Sequence, residues 1–104
     1  MLTIIILTRN RTQWLHKALS KYSSLNYEGT VHIEDDSTDE FFEKNKEISE
    51  HYKKELDIKH FKGAGYKEDT QTKRMIATTR KCLDRVKTKY YSFTSDDDFF
   101  SLVF

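Results

Sequence analysis

The sequence contains no proline, three glycines and a single cysteine, Cys82. It has no internal repeat and no low-complexity linker. One thiol cannot form an internal disulfide or a zinc cage, which fits a reducing compartment. There is no excess of charge of either sign. Eighteen Lys and Arg face seventeen Asp and Glu, for a formal net charge of +1. Balanced and interleaved charge gives no electrostatic reason to expect nucleic acid or a membrane surface as partner. Long hydrophobic runs are also missing. The apolar start, Leu2 to Leu7, is too short for a membrane span and lacks the basic lead and small-residue exit of a signal peptide. The expectation is a cytoplasmic protein with no membrane segment.

Familiar catalytic and binding motifs are absent too. Gly63-Ala64-Gly65 lacks the third glycine of a dinucleotide fingerprint, because residue 68 is Glu, and it does not follow the first apolar run. No Walker A loop occurs, and no Ser-His-Asp arrangement can be argued. His16, His32, His51 and His60 share no metal-ligand spacing and are expected at the surface or rim. Cys82 sits on an apolar stripe, as a core thiol does.

What the sequence does have is an alternation of apolar runs and helical periods over 104 residues, the length of one domain, 1–104. Seven Phe and six Tyr argue for a packed core rather than disorder. Residues 3–8 form a β-branched run suited to a strand covered on both faces. Residues 12–24 follow with Trp14, Leu15, Ala18, Leu19, Tyr22 and Leu25 on one helical stripe. Residues 30–34 read as a second strand. Ser37-Thr38-Asp39-Glu40 matches a capping box and opens a charged helix anchored by Phe41, Ile48 and Tyr52. Residues 56–61 alternate like an edge strand. Residues 70–87 place Met75, Ile76, Thr79, Cys82, Leu83 and Val86 at helical spacing, and residues 89–94 form a fourth strand. The order βαβαβαβ predicts an α/β, Rossmann-like fold: a parallel sheet of about four strands with helices on both faces.

In such a sheet, ligands bind outside the carboxyl ends of the strands. Three polar clusters follow strand ends: Thr8-Arg9-Asn10-Arg11, Glu34-Asp35-Asp36 and Ser95-Asp96-Asp97-Asp98. They are expected to converge on one edge. Three adjacent carboxylates repel one another, and a hard divalent cation such as Mg²⁺ or Mn²⁺ relieves that repulsion. A solvated acidic turn capping the next helix would use the same residues. Asp35 and Asp36 suit a ribose hydroxyl or a base N–H, or simply a turn. Thr8 and Asn10 suit a base edge or a helix cap. Arg74 suits a phosphate or a solvated helix face.

These blocks, in this order, resemble family 2 (GT-A type) glycosyltransferases. Leu2-Thr3-Ile4-Ile5-Ile6-Leu7-Thr8-Arg9-Asn10-Arg11 is similar to their opening strand, which runs into Pro-Thr-Tyr-Asn-Arg. Ile33-Glu34-Asp35-Asp36-Ser37-Thr38-Asp39 is similar to their Val-Asp-Asp-Gly-Ser-Thr-Asp turn, and Tyr91-Ser92-Phe93-Thr94-Ser95-Asp96-Asp97-Asp98 to the strand entering their metal motif. No block is diagnostic alone; the ordered set, from about residue 2 to residue 100, carries the likeness. The resemblance implies a GT-A half that binds a nucleoside-diphosphate sugar, a UDP-sugar first among them, and an enzyme that transfers the sugar to an acceptor hydroxyl. Thr8 would contact the base and Asn10 support that turn. Asp35 would bind base or ribose, Arg74 would lie near the nucleotide, and Asp96, Asp97 and Asp98 would hold Mg²⁺ or Mn²⁺ against the diphosphate.

The sequence departs from the family pattern at Leu7 (for proline), Arg9 (for an aromatic ring), Glu34, Asp36 (for glycine) and Ser95 (for the motif's first Asp). The last leaves open which two of the three aspartates bind metal, with Asp97 the first choice. The family's general base is expected beyond Phe104, which implies a truncated domain and a possible partner chain covering Phe99–Phe104. The alternatives are a non-catalytic nucleotide-binding remnant or a subunit completed by a partner chain, and, third, a metal-dependent phosphoryl-transfer domain.

Overall fold

The computed structural model describes residues 2–63, 70–86 and 90–95. Strands β1 (Leu2–Thr8), β2 (Thr30–Asp35), β3 (Asp57–Lys62) and β4 (Tyr90–Ser95) alternate with helices α1 (Thr12–Ser24), α2 (Asp39–Tyr52) and α3 (Gln71–Arg85). All pairings are parallel and the strand order is β3-β2-β1-β4. This is the expected βαβαβαβ architecture. The first two crossovers step from β1 outward to β3, whereas β4 returns to the other side of β1. The order therefore reverses at β1.

Alternation along each strand sorts its residues between two faces. One face presents Ile4, Ile6, Val31, Ile33 and Ile58, and Leu15, Ala18, Leu19 and Tyr22 of α1 close over it. These side chains are 5% exposed or less. Burying a Leu or Ile fully is worth about 1.5–3 kcal/mol, so this layer dominates the fold's stability. The opposite face carries Ile5, His32 and Glu34, and α3 reaches it through Cys82 and Arg85.

The helix stripe on α1 is narrower than its sequence pattern. Trp14 is 39% and Leu25 45% exposed. At 100° per residue they lie roughly 90° and 70° from the centre of the buried arc. Trp14 instead packs under two cations, Arg11 at 5.4 Å and Lys17 at 4.8 Å from its ring centroid. Helix α1 stops in a Schellman arrangement. Tyr27 N–H donates to the Tyr22 carbonyl, Asn26 N–H donates to the Ser23 carbonyl, and Asn26 takes the left-handed φ of 53°.

Helix α2 also differs from expectation. Ile48 and Tyr52 pack against the core edge, but its fully buried positions are polar: Asn45 and Ser49. The capping box does not form either. Thr38 is the N-cap, without a side-chain cap bond, and Ser37 turns inward. Helix α3 starts as expected, with the Thr70 hydroxyl accepting from Lys73 N–H at 3.2 Å. Among the described residues no helix is long and apolar enough to cross a membrane.

Candidate functional site

The parallel register sets the strand ends level. Thr8 is paired with Asp35, Asp35 with Lys62, and Leu7 with Ser95. The carboxyl edge of the sheet therefore brings the first two polar clusters together, with the end of β4 beside them. The gap between β1 and β4 is the point where strand order reverses, the position at which open parallel sheets bind ligands.

Hydrogen bonds join the end of β1 and the loop after it to the loop after β2. Asp36 N–H donates to the Thr8 carbonyl at 3.0 Å. Asn10 N–H donates to Ser37 Oγ at 2.8 Å, and Asn10 Oδ1 accepts from Thr38 N–H at 2.9 Å. Arg9 Nη1 donates to the Asp36 carbonyl at 2.8 Å. Asn10 achieves this at a left-handed φ of 52°, a conformation asparagine tolerates better than most residues. From the edge strand, Lys62 Nζ donates to the Ser37 carbonyl at 2.6 Å and lies 3.3 Å from Asp39 Oδ1. The two loops thus form one cross-linked platform, with Asn10 bonded to both Ser37 and Thr38.

Glu34, Asp35 and Asp36 do not act as one acidic cluster. Alternation sends Glu34 to the α3 face and Asp35 to the α1–α2 face, and Asp36 enters the loop. Asp35 is 0% exposed. Its Oδ1 accepts from Ser37 N–H at 3.0 Å, and its Oδ2 accepts from Asn45 Nδ2 at 2.9 Å and lies 2.8 Å from His60 Nε2. A carboxylate only accepts, so His60 Nε2 donates. Burial pushes the Asp35 carboxyl upward, but the hydrogen bonds from His60, Ser37 and Asn45 outweigh it and hold the carboxyl below its usual value. The side chain assigned to base or ribose contact is thus committed inside the protein. It cannot reach a ligand without leaving this network.

Glu34 is 1% exposed. Arg85 Nη1 donates to both of its oxygens at 3.0 Å, and His32 Nε2 lies 2.7 Å from Oε1. Phe61 closes the group, with its ring 4.9 Å from His32 and its face 4.4 Å from the Arg85 guanidinium carbon. Cys82 is buried beside them. Burial, then the Glu34 charge and a hydrogen bond with Glu34, push its thiol up to about 12.

The expectation that the histidines sit at the surface or rim holds for His16 and His51, which are exposed, and fails for two others. His32 is 2% exposed, and the His60 side chain is 6% exposed and stacks on Phe42 at 4.5 Å. Each is drawn inward by a buried carboxylate two or twenty-five residues away. Histidine spacing alone does not reveal such pairs. The β2 alternation Val-His-Ile-Glu-Asp does hold a signal, since it puts His32 and Glu34 on one face.

Thr8 is 5% exposed at the platform's base. Arg74 lies on the first turn of α3, and its side chain is outside the described set. Asp96, Asp97, Asp98 and Phe99–Phe104 also lie outside the described residues. Neither a scan of protein-family models nor a search of curated proteins finds a match to this chain.

Proposed function

We propose that the carboxyl edge of the sheet binds a nucleoside-diphosphate sugar, with UDP-sugars first in line, and that the protein is a GT-A type glycosyltransferase domain acting on an acceptor hydroxyl. The observation that carries this reading is the register. Two of the three sequence blocks that resemble family 2 glycosyltransferases are bonded to each other on the carboxyl edge, beside the β1–β4 switch point, and the third runs along β4, whose Ser95 is paired with Leu7.

Asp96, Asp97 and Asp98 are the residues proposed to hold Mg²⁺ or Mn²⁺, since carboxylate oxygens suit these hard cations. Such a cation, when bound, neutralises the leaving diphosphate as a Lewis acid. The chain's own groups position the donor. Asn10 and Arg9 fix the β1–α1 loop against the β2–α2 loop. Thr8 sits under the base. Asp35 contributes from behind, by holding the Ser37 turn and α2 in place. Arg74 is proposed to face the nucleotide phosphates.

Calorimetric titration with UDP in the presence and absence of Mn²⁺ tests the reading. Binding that requires Mn²⁺, and that is lost in the Asp97→Ala, Asp98→Ala double variant, is expected. Equal binding by the variant would overturn the metal assignment, and no binding to the wild type at millimolar UDP would overturn the site. Release of UDP from a UDP-sugar separates sugar transfer from nucleotide binding alone.

A further inference from the structure

On the sheet face opposite the α1–α2 core, three side chains with metal-ligating atoms meet. His32 and Glu34 project from β2 two residues apart, and Cys82 meets them from α3. An imidazole nitrogen, a carboxylate oxygen and the sulfur all lie within 4.8 Å of one another, and all three residues are buried. We propose that His32, Glu34 and Cys82 form a binding site for Zn²⁺, in which the metal replaces the Arg85 guanidinium as the counter-charge of Glu34. The site lies on the sheet face opposite Asp35 and uses none of the residues proposed to bind the nucleotide or its cation.

The donor set selects the ion. Thiolate and imidazole favour Zn²⁺ over Mg²⁺ or Mn²⁺, and one carboxylate is a common third ligand. Zn–N and Zn–S bonds of about 2.0 and 2.3 Å at a tetrahedral angle put ligand atoms roughly 3.5 Å apart. The widest separation, at most 4.8 Å, must therefore close by up to about 1.3 Å, within the reach of side-chain rotation. Three protein ligands leave one tetrahedral position for a fourth donor.

Charge balance makes the exchange feasible. In the structure, one buried carboxylate is offset by one guanidinium. With Zn²⁺ bound, the carboxylate and the Cys82 thiolate together offset the two positive charges. Both states are neutral, which a buried site requires. The thiol proton leaves to water, and the His32 ring presents its Nε2 lone pair with its proton on Nδ1. Arg85 can swing outward because its side chain is already 20% exposed.

Co²⁺, which takes zinc sites and reports a thiolate ligand by charge-transfer absorption, provides the test. The full chain should show that absorption with one equivalent of Co²⁺ and lose it when Zn²⁺ is added. Cys82→Ala should abolish the band while keeping a native circular-dichroism spectrum, and the Asp97→Ala, Asp98→Ala variant should keep the band. Arg85→Gln removes the competing cation and should tighten binding by about tenfold or more. Absence of the band in the wild type, its persistence in Cys82→Ala, or unchanged or weaker binding in Arg85→Gln would overturn the proposal. Loss of UDP binding with the cobalt band intact would sink only the nucleotide reading.

Discussion

Replacing Asp35 by alanine removes the acceptor for three donors at once: Ser37 N–H, Asn45 Nδ2 and His60 Nε2, at 3.0, 2.9 and 2.8 Å. A buried donor left unsatisfied costs about 1–3 kcal/mol, and a hydrogen bond to a charged group is worth about 1.5–3 kcal/mol. Ser37 and Asn45 are both 0% exposed, so neither can turn to water. His60 lies nearer the surface and recovers part of its solvation. The sum is about 3–5 kcal/mol, a large fraction of the roughly 5–15 kcal/mol that holds a domain together. Asp35→Asn keeps one acceptor oxygen and should lose roughly half as much. Urea unfolding followed by circular dichroism measures both, and the Asn variant keeps the test readable if the Ala variant does not fold. A change below about 0.5 kcal/mol for Asp35→Ala, the range of ordinary surface substitutions, would refute the reasoning. The same network sets a pH dependence. The folded carboxyl titrates below its ordinary value of 3.8, so on acidification the unfolded chain takes up a proton first. The stabilisation is complete at neutral pH and falls away from about pH 5 downward until the folded carboxyl is itself protonated. Asp35→Asn should flatten that decline.

Three further outcomes follow from the opposite face and the β2 entry. Arg85→Met leaves Glu34 buried without its guanidinium and should cost about 2–3 kcal/mol, discounted for the partly exposed arginine; adding Glu34→Gln should restore at least half in a urea-denaturation cycle. Gly29→Ala would drive a Cβ into the Leu2 carbonyl and the Tyr27 hydroxyl that donates to it, and should destabilise by about 1–3 kcal/mol, read as a lowered Tm. Cys82, buried with its thiol pushed up to about 12, should react with iodoacetamide at neutral pH roughly a thousandfold more slowly in the native state than in urea. Equal rates would contradict its burial.

The fold was legible because its signals are local. The β-branched run of β1, the Leu15-Ala18-Leu19-Tyr22 arc and the Ile58-bearing edge strand each declare a period without reference to the rest of the chain. Parallel order then followed from alternation. The platform was legible in part: Asn10 and Ser37 were visible as turn formers, but their bond to each other spans twenty-seven residues and exists only once β1 and β2 pair. Asn45, His60, Lys62 and Arg85 were missed for the same reason. Each looks like a solvated residue in sequence, and each becomes a partner only through a strand crossing. The capping box failed because Ser37 had a competing use, since the Asn10 N–H and Asn45 offered it partners that the helix terminus did not outbid.

The back-to-back placement of Glu34 and Asp35 also bears on how the sheet assembles. A central parallel strand can pair with its neighbours one residue out of step at little loss of backbone hydrogen bonds, because the ladder itself does not identify which residue it holds. In β2 such a slip would turn His32 and Glu34 into the layer of Ile4, Ile6 and Leu19, away from Arg85, and would turn Ile33 toward the guanidinium. Both acids would be stranded at once, each facing the wrong helix. The two carboxylates therefore add to the cost of the misaligned register beyond what the apolar residues of β2 impose by themselves.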